Sequence, residues 1–255
     1  MPPHLVFDFD GVLVDGMEEY WWSARRAIRR LQPDLPLPLS APPGFGLLRP
    51  QIHKGWEMVL MAAELSRPDF DVHAACADYP AALADALVRH GQPASALQDA
   101  LECVRRQAIA DDLPGWLALH HFYPGVRERL ARLEQEGSGW SVLTTKGGAF
   151  ASQLLAAAGL QPRAVHGHER GSKPEVLREL LAAGEPLWFI EDRRPTLELV
   201  RASDDLDSVR CYLVAWGYLA PGDAEGLPAG IALLERASFE SPLAQWPASA
   251  KVQAY

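Results

Sequence analysis

The chain has 255 residues and carries 24 lysines and arginines against 33 aspartates and glutamates, a formal net charge of −9. Apolar residues at 48% and charged residues at 22% exclude a disordered chain, and the length exceeds the usual single-domain mode of about 100–150 residues. The acidic balance argues against nucleic acid and membrane surfaces as partners, because both call for basic faces, and favours a small-molecule task.

Leu5 to Phe9 reads as a short buried strand entered by Asp8 and stopped at Asp10-Gly11. Glu18 to Leu31 sets Tyr20, Trp21, Ala24, Ala27, Ile28 and Leu31 at helical spacing, with four arginines on the other face, which predicts an amphipathic helix. Residues 32–50 hold six prolines and are expected to be irregular. Ala- and Leu-rich segments near 51–65, 72–90 and 94–110 predict further helices, with Pro80 starting or kinking one. From Tyr123-Pro124-Gly125 the rhythm becomes alternating. A helix near 125–135 precedes a strand at Trp140–Thr144, a helix near 149–158 and an extended stretch at Ala164–His166. A helix opened by Pro174, a strand at Leu187–Ile190, a helix near 195–202 and a strand at Val209–Val214 follow. The last fifteen residues are expected to be irregular or loosely packed.

Strands separated by helices imply a parallel sheet. The expectation is an α/β, Rossmann-like parallel-sheet core made of residues 1–15 and 122–255, interrupted by an all-helical domain at 16–121. The insertion leaves near the C-terminal end of the first strand, where open α/β sheets bind ligands, and is placed to act as a lid. Cys76, Cys103 and Cys211 lie far apart and suggest reduced thiols rather than disulfides or zinc. No run approaches the ~18–20 apolar residues of a membrane span, and a cytoplasmic protein is expected.

Asp8 and Asp10 stand two apart at a strand end, so both carboxylates are expected to face one ligand. Like charges that close call for a cation between them, and a hard one such as magnesium takes oxygen ligands of this type. Only four lysines occur against twenty arginines, at positions 54, 146, 173 and 251. His120-His121 and His166-x-His168 lack a third ligand at suitable spacing and read as structural or exposed.

The run Asp8-Phe9-Asp10-Gly11-Val12-Leu13-Val14-Asp15 resembles the first motif of the haloacid dehalogenase superfamily, and the others follow in order. Thr144 stands where that family has its second-motif Thr or Ser, Lys173 in Gly171-Ser172-Lys173-Pro174 resembles its third-motif lysine, and Glu191-Asp192 resembles its acidic fourth motif. Tyr123-Pro124-Gly125-Val126 resembles the core-helix entry of phosphoglycolate-phosphatase-like members, which carry a helical cap. The sequence departs from many relatives at Thr145, where they have Asn, and at Thr196, where they have a second Asp. The Glu-Asp pair resembles that of the β-phosphoglucomutase-like branch, in which both carboxylates serve the metal.

The resemblance implies a Mg2+-dependent phosphatase acting on a small phosphorylated metabolite, of phosphoglycolate or sugar-phosphate type, through an aspartyl-phosphate. Asp8 is then the nucleophile and Asp10 the general acid and base. Thr144 and Lys173 neutralise the transferred group, and Asp8, Asp10, Glu191 and Asp192 hold the metal. Thr145, Lys146, Arg49 and Lys54 are expected to bind substrate. In the insertion Glu18, Glu19, Trp21, Trp22, Arg25, His53, Trp56 and Glu57 are further candidates to face the site, against the plainer reading that the tryptophans are interior and the charges rim. The alternatives are a phosphomutase, which returns the phosphoryl group to substrate, and a non-catalytic metabolite-binding protein. The oligomeric state is left open.

Overall fold

The computed structural model describes residues 1–248. Two compact units divide the chain: Met1–Asp15 together with the chain from Phe122 onward, and Gly16–His121.

The first unit opens with β1 (His4–Phe7), every residue of which is buried, and β2 (Val14–Asp15) is its last element before the insertion. The second unit consists of α1 (Met17–Leu31), α2 (Pro43–Leu48), α3 (Gly55–Glu64), α4 (Val72–Ala77), α5 (Tyr79–His90) and α6 (Ala94–Ala118). Its interior lies where α1, α3 and α6 meet, around Ala24, Ala27, Ile28, Val59, Leu60, Leu97, Leu101 and Val104. The proline-rich stretch contains one short helix, α2, because Pro43 occupies a first-turn position where a missing N–H costs nothing. Pro80 likewise starts α5, and Asp78 accepts from the Ala81 N–H as its cap. The last helix runs farther than the expected 94–110, with non-helical backbone at Asp112 two residues before Pro114. Its second half restarts there, and Asp112 accepts from the Gly115 N–H.

The chain returns through β3 (His121–Phe122), and the alternation follows: α7 (Val126–Leu133), β4 (Trp140–Leu143), α8 (Gly148–Ala157), β5 (Val165–His166), α9 (Lys173–Leu181), β6 (Leu187–Glu191), α10 (Arg194–Arg201), β7 (Arg210–Val214), β8 (Ile231–Leu234) and α11 (Arg236–Glu240). Six strands form one parallel sheet in the order β5-β4-β1-β6-β7-β8. The sheet is covered on both faces, which is why its strands are continuous apolar runs. Val6, Leu143, Phe189 and Leu213 pack with Val176 and Leu177 of α9 and with Leu197 and Val200 of α10. Phe7 meets Trp140 and Phe239 edge-on, and Trp188 and Tyr212 stack near Trp246.

Strand β8 and helix α11 are elements the sequence reading does not include, and the C-terminal segment is irregular but packed as far as residue 248. Leu243 and Trp246 are buried, and the Trp246 indole donates to the Ser241 carbonyl. The rest of that expectation, residues 249–255, lies outside the described residues. The chain runs from β1 to its neighbours on one side and then to those on the other, so the C-terminal end of β1 is a topological switch point.

Candidate active site

Beyond β1 the chain does not continue as a strand. Asp8, Phe9 and Asp10 lie in a tight loop closed by Leu13 and Val14 N–H groups on the Phe9 carbonyl, and Gly11 adopts φ +90°. A side chain at Gly11 is strained on two counts, since a Cβ there would also lie 1.9 Å from Asp192 Oδ2. Asp8 and Asp10 meet different lysines. Lys173 Nζ lies 3.0 Å from Asp8 Oδ1, and Lys146 Nζ donates to Asp10 Oδ1 at 3.2 Å.

Lys173 is the first residue of α9, set by a turn in which Glu175 accepts from both the N–H and the hydroxyl of Ser172 at 2.7 Å. Its ammonium is buried and also donates to Glu191 Oε2 at 2.7 Å. Glu191 ends β6 with no exposure, and its Oε1 accepts from the N–H groups of Asp192 and Arg193, both at 3.1 Å. Asp192 Oδ2 accepts from the Tyr218 N–H at 2.9 Å. At the end of β4, Thr144 is buried and its Oγ1 accepts from the Lys146 N–H at 3.0 Å, which leaves the hydroxyl proton to be donated.

Asp8, Glu191 and Asp192 each bring a carboxylate oxygen within 4.8 Å of the others. Among the described residues they are the one such cluster, and neither Asp10 nor any histidine belongs to it. Burial first, and then the neighbouring Glu191, push the Asp8 carboxyl up to about 8, against the pull of Lys173. Burial also raises Glu191, with Lys173 opposing and Asp192 adding to the rise. Lys173 moves up despite its burial, because Asp8 and Glu191 both stabilise the ammonium.

Asp8 and Glu191 thus share the Lys173 ammonium with the Asp192 carboxylate close by, and Asp8 Oδ1 accepts no hydrogen bond of good geometry although it is fully buried. The donor set is all oxygen, and its excess negative charge and unused acceptor fit a hard divalent cation. The two oxygens of Glu191 already accept three hydrogen bonds.

The remaining expected residues divide between the units. Thr145 and Lys146 belong to the β4 turn, where Lys146 is buried on Asp10. Arg49 and Lys54 belong to the helical unit: Arg49 Nη1 donates to the Ile52 carbonyl at 3.2 Å and lies over Tyr20, and Lys54 is exposed ahead of α3. Several insertion candidates are interior residues of that unit. Trp21 packs on Phe45, Glu19 is buried on Arg105, and Glu57 accepts from the His53 N–H and the Tyr79 hydroxyl.

Sequence reasoning missed Trp216-Gly217-Tyr218, directly after β7. The available signal was a glycine flanked by aromatics at the end of a buried strand, the position at which backbone approaches a ligand in α/β sheets.

No protein-family model and no curated protein sequence matches the chain. Solved structures do. A predicted phosphatase from Clostridium acetobutylicum superposes with a TM-score of 0.59 at 16% identity, over 91% of this chain and 94% of that one. A predicted phosphoglycolate phosphatase from Haemophilus somnus gives 0.59 at 16% identity, over 91% and 93%. A haloacid dehalogenase-like hydrolase from Streptococcus pneumoniae gives 0.57 at 15% identity, over 91% and 93%. The chain has the haloacid dehalogenase-like fold. In that fold the buried acids and lysines occupy the end of the sheet at which chemistry is expected, and among the described residues no helix is long and apolar enough to cross a membrane.

Proposed function

We propose that the protein is a magnesium-dependent phosphatase that hydrolyses a small phosphorylated metabolite through an aspartyl-phosphate at Asp8. The observation that carries the reading is the buried cluster of Asp8, Glu191 and Asp192, in which Asp8 and Glu191 both meet the ammonium of Lys173. Such a cluster opposes a stable fold unless further positive charge is added, and a cation with its bound phosphate answers that need.

Asp8 attacks phosphorus through a carboxylate oxygen, the ester oxygen leaves with the proton that Asp10 donates, and an acyl phosphate results. Asp10 then takes a proton from water, which attacks the acyl phosphate and returns the Asp8 carboxylate with release of inorganic phosphate. Lys146, 3.2 Å from Asp10, holds that carboxylate in place. The Thr144 hydroxyl and Lys173 neutralise the phosphoryl oxygens, which is the largest part of catalysis in this reaction. Asp8 and Asp192 are the ligands assigned to the metal, and Glu191 orients Lys173. Magnesium supplies charge stabilisation to the transferring phosphoryl group when bound. Arg49, Lys54 and Thr145 are assigned to the substrate's organic end, and Gly16–His121 to a cap that excludes water.

The test is inorganic phosphate release over a panel of phosphorylated metabolites, with magnesium and then with EDTA. Release that EDTA silences and magnesium restores is the expected result. Isomer formation without phosphate release would replace the phosphatase with a mutase, and tight binding without turnover would replace it with a binding protein.

A further inference from the structure

We propose that Tyr218 is a positioning residue for Asp192, held in place by its own phenol on Asp15. The proposal rests on the reading of Asp8 and Asp192 as metal ligands.

The loop after β7 is pinned to the first segment of the chain at both ends. The Trp216 indole N–H donates to the Val12 carbonyl at 3.1 Å, and the Tyr218 hydroxyl donates to Asp15 Oδ1 at 2.7 Å. Between those two anchors the Tyr218 N–H points at Asp192 Oδ2, 2.9 Å away. The loop has no slack. A Cβ on Gly217 would lie 2.3 Å from Asp192 Cβ and 2.6 Å from the Gly11 carbonyl oxygen, and one on Gly11 would meet both Asp192 Oδ2 and the Tyr218 ring. Asp192 is therefore pressed between two glycine backbones, and the 216–218 loop supplies a donor that helps to orient its carboxylate. The phenol–Asp15 bond is a side-chain latch that holds the backbone donor on target. Its chemistry is that of a partner that orients a metal ligand without touching the ion.

The two side chains of the latch are separable from the fold, because Tyr218 and Asp15 are both only partly buried. Tyr218→Phe keeps the ring and the N–H and removes the hydroxyl. Asp15→Ala removes the acceptor, and Asp15→Asn keeps an acceptor oxygen. The readout is manganese binding by electron paramagnetic resonance, which needs no substrate and no turnover. Removing a group bonded to a metal ligand costs about 10–100-fold in metal affinity. Tyr218→Phe and Asp15→Ala leave the residue 218 N–H in the chain and only release it, so each is expected to bind manganese more weakly by at most about tenfold. The double variant is expected to be no weaker than either single one, since both break the same bond, and Asp15→Asn is expected to stay within about twofold of the unaltered chain. Wild-type affinity in Tyr218→Phe, or penalties that add in the double variant, would overturn the latch while leaving the metal reading intact. Absence of manganese binding by the unaltered chain would remove the metal reading and the latch with it. Should Tyr218→Phe fail to fold, the two Asp15 variants carry the same comparison.

Discussion

Buried carboxylates occur in both units, and they are treated in opposite ways. In the helical unit Glu19 is fully buried and accepts from Arg105 Nε and Nη2, both at 2.7 Å, with the Ser23 hydroxyl alongside. Glu64, also buried, meets Arg67 at 2.6 Å and both Arg89 and His90 at 2.7 Å. In the core, Asp8, Glu191 and Asp192 have Lys173 among them. A charge kept inside for structure meets its partners where it stands, through the forked Arg105 guanidinium at Glu19 and through Arg67, Arg89 and His90 at Glu64, and both carboxylate oxygens are used in each case. A cluster left with an excess of one sign raises the proton affinity of its members, as Asp8 shows, and sets up a demand for a ligand of the other sign.

The largest expected effect breaks the core side of the contrast. Asp8→Asn removes the nucleophile and should lower phosphate release by at least about 10³-fold. Circular dichroism and the melting temperature should show no loss of fold, because the change also removes one of three crowded charges. Persisting turnover in that variant would end the covalent mechanism. Next comes the helical unit, where Glu19→Ala strands the Arg105 guanidinium and is expected to cost about 3–5 kcal/mol in denaturant unfolding. Replacing the pair by Glu19→Leu with Arg105→Met should recover most of that loss, and a cost below about 1 kcal/mol for Glu19→Ala would show that this pair is not what neutralises the site. Smaller again is Gly11→Ala. It forces a left-handed backbone on a side chain and drives its Cβ onto Asp192, so a loss of about 1–3 kcal/mol and weaker manganese binding are expected together. Loss of stability with unaltered manganese binding would separate the turn from the cluster.

Much of the core was legible in the sequence because a parallel sheet covered on both faces writes its strands as contiguous apolar runs. Leu187–Ile190 is such a run, and Trp140–Leu143 is one broken only by Ser141. Ile231–Leu234 is one too, but four apolar residues after a glycine-rich stretch look like many short segments, and what makes them a strand is the exposed edge of β7. Burial of Trp246 depends on Trp188, Tyr212 and Phe239, which meet it only in three dimensions. The acids and lysines of the site could be picked out by residue type, since carboxylates and ammonium groups at strand ends are costly without a task. Their pairing could not. Which lysine each acid meets, Lys173 for Asp8 and Lys146 for Asp10, is decided by turns far away in the chain. Tyr218 was missed for another reason. It serves Asp192 through a backbone N–H, and every residue but proline has one.

His4 sharpens the contrast with a third way of burying a titratable group, which is to keep it neutral. Arg163 Nη1 lies 3.3 Å from His4 Nδ1, and a guanidinium only donates, so Nδ1 is the bare nitrogen and Nε2–H donates to Ser141 Oγ at 2.9 Å. Burial, followed by the Arg163 charge, holds the imidazole below its ordinary 6.5, with Glu185 pulling the other way. Unfolded, His4 takes a proton near 6.5, whereas folded it does so only at lower pH. Across that interval the unfolded chain binds more protons. The contribution of His4 is therefore complete above 6.5 and is lost as the pH falls from 6.5 through the folded value. His4→Gln, which stays neutral and can bond both Ser141 and Arg163, should flatten this part of the profile. Denaturant unfolding at pH 7.5 and 5.5 is expected to show the unaltered chain losing more stability than the variant. Equal slopes would mean that His4 accepts its proton in the fold, with Glu185 outweighing Arg163, and would move it into the class of Glu19 and Glu64, charged and paired.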